Sequence, residues 1–97
     1  MIEDKFIISA EHPCLAGHFP GNPLVPGVVI LDEVMRCIRR HLGDVEFVTL
    51  PAVKFLSPLL PGKEVDVSVQ QKQTALLSFT CRVADRLICN GQVHIDV

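Results

Sequence analysis

From Val65 to Val97 most odd positions are apolar: Val65, Val67 and Val69, then Ala75, Leu77, Phe79, Cys81 and Val83, then Leu87, Cys89, Gly91, Val93, Ile95 and Val97. A period of two sends alternate side chains to opposite faces of a strand, so this stretch reads as antiparallel sheet with one buried face. Glu64, Asp66, Ser68 and Gln70 fall on the other face. Such a sheet needs a cover, which the rest of the chain must supply.

Parity also places the turns. Asn90-Gly91 is the stronger hairpin signal by composition, but a turn there would split the unbroken pattern from Leu87 to Val97. The turn is therefore expected at Ala84-Asp85-Arg86, with Gly91 inside a strand. A three-residue loop sets Val83 opposite Leu87, Cys81 opposite Cys89 and Phe79 opposite Gly91. The Phe79 ring can then cover the bare glycine. Cys81 and Cys89 pack as small apolar thiols, because a disulfide between directly opposed strand positions is strained. Upstream, Glu46–Phe55 gives a strand or a bent pair, Pro58, Pro61 and Gly62 a turn, and Phe6, Ile7 and Ile8 a first strand.

The cover is one helix. Leu31, Val34, Met35, Ile38 and Leu42 recur at helical spacing and form an apolar stripe. The expected helix is Val28–Leu42: Pro26 and Gly27 sit where an unpaired N–H costs least, and Gly43 is a natural C′ residue. Arg36, Arg39, Arg40 and His41 load its C-terminal half and complement the dipole. The expected class is a two-layer α+β fold in a single domain over residues 1–97. One helix covers a sheet of about five strands poorly. With a mean hydropathy of +0.36, that points to apolar surface buried between subunits.

Charge and composition exclude several functions. The net charge of −2 lacks the cationic excess that nucleic acid demands, and Trp and Tyr are absent. The longest apolar stretches, Leu24–Leu31 and Leu56–Pro61, fall far short of the ~20 residues that span a bilayer. Met1-Ile2-Glu3-Asp4-Lys5 shows no apolar leader, so a cytoplasmic protein with four reduced thiols (Cys14, Cys37, Cys81, Cys89) is expected. The spacing of His12, His18, His41 and His94 matches no zinc pattern, and no metal is expected.

Chemistry concentrates in the loop before the helix. Pro13, Gly17, Pro20, Gly21, Pro23, Pro26 and Gly27 make seven breakers within fifteen positions, a segment neither helical nor regularly extended. Within it, His18 is either a surface imidazole or a base held in place by flanking glycines and Phe19. Asp32 has two readings: an exposed i, i+4 ion pair with Arg36, or a carboxylic acid at the end of an apolar channel. Glu33 turns about 100° away from it and is expected to be solvated. Gly27, if it opens the helix, offers an N–H with no intrahelical partner, able to meet an oxyanion; otherwise it is a plain helix-start glycine.

The segment from His12 to Glu33 contains Gly17-His18-Phe19-Pro20-Gly21-Asn22-Pro23-Leu24-Val25-Pro26-Gly27-Val28, with Asp32 fourteen positions after the histidine. It resembles the signature of the β-hydroxyacyl-(acyl carrier protein) dehydratases, and a weaker likeness continues through Val53-Lys54-Phe55-Leu56-Ser57-Pro58 to the C-terminal hairpin. The resemblance implies a hotdog fold, a long helix wrapped by an antiparallel sheet, and dimers with active sites between subunits. It implies catalytic roles for His18, for Asp32 from the opposite subunit, and for Gly27 as the donor that polarises a thioester carbonyl. Phe19, Leu24, Val28 and Leu31 would line the acyl tunnel. The implied substrate is a 3-hydroxyacyl thioester on the phosphopantetheine of an acyl carrier protein, with no further cofactor. Arg36, Arg39, Arg40 and Lys54 either meet that acidic carrier or are simply solvated. The chain is shorter than the familiar enzymes. Two alternatives stay open: a hotdog acyl thioesterase, and a non-catalytic hotdog subunit of a heterodimeric dehydratase.

Overall fold

The computed structural model describes residues 1–13 and 24–96. His18, Phe19 and Cys14 lie outside the described residues, as does Val97. Strand β1 (Ile2–Ile7) is followed by helix α1 (Gly27–Leu42) and then by β2 (Glu46–Phe55), β3 (Glu64–Gln73), β4 (Leu76–Val83) and β5 (Arg86–Asp96). The strands form one antiparallel sheet in the order β1-β3-β4-β5-β2. The helix lies on one face, and this is the hotdog arrangement that the resemblance implies.

Period-two patterning does what it should in β3 and β4. Val65, Val67, Val69, Leu77, Phe79 and Cys81 are all buried, and they meet Ile30, Val34, Cys37 and Ile38 of the helix in one core. The buried stripe differs from the expected one. Leu31 and Met35 are only partly buried and Leu42 is exposed, while Ile30 and Cys37 are fully enclosed. The helix has apolar residues over a wide arc, and its packing across β1 and β3 selects the Ile30 side of that arc.

Helix ends are set by backbone groups. The carbonyl of Pro26, the N-cap, accepts from the N–H groups of Val29 and Ile30, and no side chain caps this end. Gly43 stops the helix at φ +82°, donating its N–H to the Arg39 carbonyl at 2.9 Å.

The β4–β5 hairpin corrects one expected pairing. Val83 faces Arg86 and Arg82 faces Leu87, so the loop holds two residues, with Ala84 at φ +52°. Ile88 is then an extra residue on β5, a bulge that restores Cys81 opposite Cys89 and Phe79 opposite Gly91. The bulge buries Ile88 and Cys89 together, breaking the odd-position rule, and leaves Leu87 half-buried. Cys37, Cys81 and Cys89 are free thiols.

The bulge also anchors the chain beyond the end of β2. The Ile88 carbonyl accepts from Leu56 N–H (2.8 Å) and Ser57 N–H (3.3 Å). Further on, Leu59 accepts from Val25 N–H and Gly62 donates to the Ile8 carbonyl. Residues 56–62 thus form a strap from the bulge in β5, past the start of the helix, to the end of β1. Leu59 plugs the core beneath it.

Candidate active site

The helix start and this strap border an open hollow of about 410 Å³ with apolar walls, among them Leu24, Val25, Ile30, Phe55 and Leu59. Gly27 lies on its wall. It is the first helical residue, and among the described residues no backbone carbonyl takes its N–H. The hollow therefore carries, at the positive end of the helix dipole, a donor with no partner among the described residues. That arrangement favours a carbonyl oxygen on which negative charge grows. A second apolar hollow, of about 280 Å³, lies at the far end of the helix between Met1, Leu42, Leu77 and Ile95. No carboxylate or imidazole lines it among the described residues.

Of the residues singled out from sequence, Leu24 and Gly27 line the first hollow. Val28 points to solvent at 73% exposure, and Leu31 packs on the edge of the core. Neither forms its wall within a single chain. Asp32 is on the exposed flank, its carboxylate 3.4 Å from Arg36 Nε, the ion pair that the spacing allows. Glu33 reverses the expectation: its side chain is 16% exposed against 64% for Asp32, because it lies on the side of the helix nearer the core. Arg36 Nη1 approaches Glu33 at 3.7 Å.

The basic residues are mostly engaged. Arg40 binds the Asp4 carboxylate through Nε and Nη2, both at 3.0 Å, and His41 approaches the same carboxylate at 3.3 Å. The Lys5 backbone N–H, with the Arg40 guanidinium and His41 beside it, holds the Asp4 carboxyl below its ordinary value. Arg39 stacks over the Phe47 ring at 4.6 Å. Lys54 is exposed and makes no ion pair among the described residues. The thiols suit packing rather than chemistry. Burial pushes Cys37 up to about 11, and a hydrogen bond with Cys89 together with burial raises Cys81.

Sequence reasoning missed the half-exposed Phe55 and the strap behind it. Phe55 reads as the last residue of a strand, yet its ring lies on Gly27: a Cβ built there would sit 2.7 Å from the ring's Cζ. The available signal was Pro58 and Pro61, which take the chain off the sheet directly after Phe55.

An antiparallel sheet holding one long helix, with an apolar hollow at the helix N-terminus, defines the hotdog class of fold. Residues 1–92 match the ApeI-like family, described as ApeI dehydratase. The chain belongs to the ApeI-like dehydratase family. It is 33% identical over 84 residues to 3-hydroxyacyl-(acyl-carrier-protein) dehydratase FabZ of Haemophilus influenzae, a match that covers 75% of this chain and 57% of the relative. It is 30% identical over 101 residues to the FabZ of Ehrlichia canis, covering 89% of this chain and 68% of that one. The chain thus spans little more than half of the Haemophilus relative's length. Among solved structures, a chain of the dehydratase heterocomplex ApeI:P from Xenorhabdus doucetiae superposes with a TM-score of 0.85 at 27% identity, covering 98% of this chain and 86% of that one.

Proposed function

We propose that this chain dehydrates 3-hydroxyacyl thioesters, carried on the phosphopantetheine of an acyl carrier protein, to trans-2-enoyl thioesters in fatty acid or related acyl-chain synthesis in the cytoplasm. The observation that carries the reading is the Gly27 N–H, without a partner among the described residues, at the wall of an apolar hollow. The thioester carbonyl accepts from this donor, and the helix dipole stabilises the enolate oxygen as it forms. His18 takes the α-proton, the electron pair left behind closes the Cα–Cβ double bond, and the β-hydroxyl departs with a proton from Asp32. The products are the enoyl thioester and water. An amide donor of this kind contributes roughly 10²–10³ in rate, and a positioned base roughly 10²–10⁴.

Asp32 faces solvent in a single chain and does not reach the Gly27 hollow. It serves in this reading as the acid of a site completed by a second subunit. The apolar surface supports such an assembly: Val28, Val48, Leu50, Phe55 and Leu56 are all at least 40% exposed, and β2 is an edge strand. Similarity to a chain of a heterocomplex supports a variant in which the second subunit is a different hotdog protein.

The test is a time course with 3-hydroxyacyl carrier thioesters of short to long chains, following enoyl absorbance and free thiol together. Enoyl formation by this chain, alone or with a second hotdog subunit, supports the proposal. Thiol release without enoyl signifies a thioesterase instead.

A further inference from the structure

We propose that Phe55 is the specificity-determining residue of this site, excluding thioesters branched at the α-carbon. The inference rests on the dehydratase reading and goes further by naming the acyl class.

Three atoms of the Phe55 ring would lie 2.7, 3.0 and 3.1 Å from a Cβ at Gly27, so the ring occupies the space that any side chain there would fill. It therefore lies in contact with the backbone that presents the oxyanion donor. A carbonyl oxygen bound ~2.9 Å from the Gly27 nitrogen places the carbonyl carbon and its α-carbon beside this ring. The strap anchors the backbone just after the ring, so the ring can leave this position only by side-chain rotation and not by a shift of the chain. Leu56 and Ser57 are bonded to the Ile88 carbonyl, Leu59 accepts from Val25, and Phe55 itself pairs with Cys89. Yet Phe55 is half exposed, so its ring forms a face of the hollow and is not core filling. A straight α-methylene passes along such a wall. A methyl branch at that carbon meets it.

The same contact explains the glycine. Alanine at position 27 requires the ring to move, and a smaller residue at 55 makes room for it. Gly27 and Phe55 form a steric pair at the donor.

The experiment measures binding and turnover separately. Amide analogues of straight-chain and 2-methyl-branched 3-hydroxyacyl-pantetheine, with NH in place of the thioester sulfur so that the carbonyl is kept and the α-proton is held more firmly, are titrated by calorimetry into the wild-type protein, Phe55→Leu and Phe55→Ala, each checked by thermal melting. The wild type should favour the straight analogue about tenfold or more, the effect of one excess carbon in a fitted apolar site, and both variants should reduce that preference toward one. Kinetically, the preference should appear as a higher KM for branched thioesters, with kcat for straight ones changing less. Gly27→Ala should weaken straight-analogue binding, and Gly27→Ala/Phe55→Leu should recover it. An unchanged preference in folded variants, or no wild-type preference, overturns the assignment. So does failure of the wild type to bind either analogue. If the straight analogue binds but its thioester yields no enoyl, the dehydratase reading fails, and the binding preference still decides the role of Phe55.

Discussion

Phe79 and Gly91 face each other across β4 and β5, and the ring occupies the place of the side chain that Gly91 lacks. A Cβ at Gly91 would stand 2.8 Å from the Phe79 ring and 2.6 Å from the Ala52 carbonyl oxygen on β2. One of these neighbours can move and the other is backbone. Gly91→Ala should therefore lower stability by about 1–3 kcal/mol, as overpacking does, in urea unfolding. Phe79→Leu in the same chain should not restore the loss, because the Ala52 carbonyl remains. Full recovery would place the strain on the ring alone.

Asp4 ties β1 to the last turn of the helix through Arg40 and His41. Its carboxyl is held below the ordinary value of 3.8, so the native state favours the ionised form. The stability this confers is fully present above the unfolded-state value and is lost as pH falls through the lower native one. Asp4→Asn should thus be less stable than wild type at neutral pH, with the difference shrinking in strongly acidic solution. Melting temperatures across that range test it; a difference that widens toward acid would contradict it.

The three buried thiols should be silent. Cys37 is pushed up to about 11, and Cys37, Cys81 and Cys89 have no access to solvent. Iodoacetamide at pH 8 should leave all three unmodified in the folded protein and label them in denaturant, as peptide mass mapping would show.

These features differ in how far the sequence reveals them. Cys81 opposite Cys89 and Phe79 opposite Gly91 follow from parity, since a one-residue slip would expose the whole buried face. The Ile88 bulge does not: a two-residue loop plus a bulge and a three-residue loop leave the same downstream register. The helix is clear in extent from Pro26 and Gly43, but not in rotation, because apolar residues from Ile30 to Leu42 cover more than one possible face. The same ambiguity hides the difference between Asp32 and Glu33, neighbours whose exposure depends on that rotation. Gly27 is legible as a helix start. Phe55 is not legible as its partner, since their contact depends on a strap held by Ile88, Val25 and Ile8.

Of the four basic residues proposed to meet an acidic carrier, Lys54 is the one left without an engagement among the described residues, since Arg36 and Arg40 hold carboxylates and Arg39 stacks on Phe47. Lys54→Glu should raise KM for carrier-bound substrate several-fold while leaving kcat/KM for the matching pantetheine thioester within twofold. Equal effects on both substrates would contradict a docking role.

In the proposed mechanism His18 and Asp32 meet at Gly27 from two different protomers. If so, His18→Ala and Asp32→Asn homodimers should each lose enoyl formation by orders of magnitude, yet mixing them after subunit exchange should restore about a quarter of wild-type turnover, since half the dimers are mixed and each mixed dimer rebuilds one intact site. Exchange verified by native mass spectrometry without any recovery would contradict the shared site. So would wild-type turnover in either single variant.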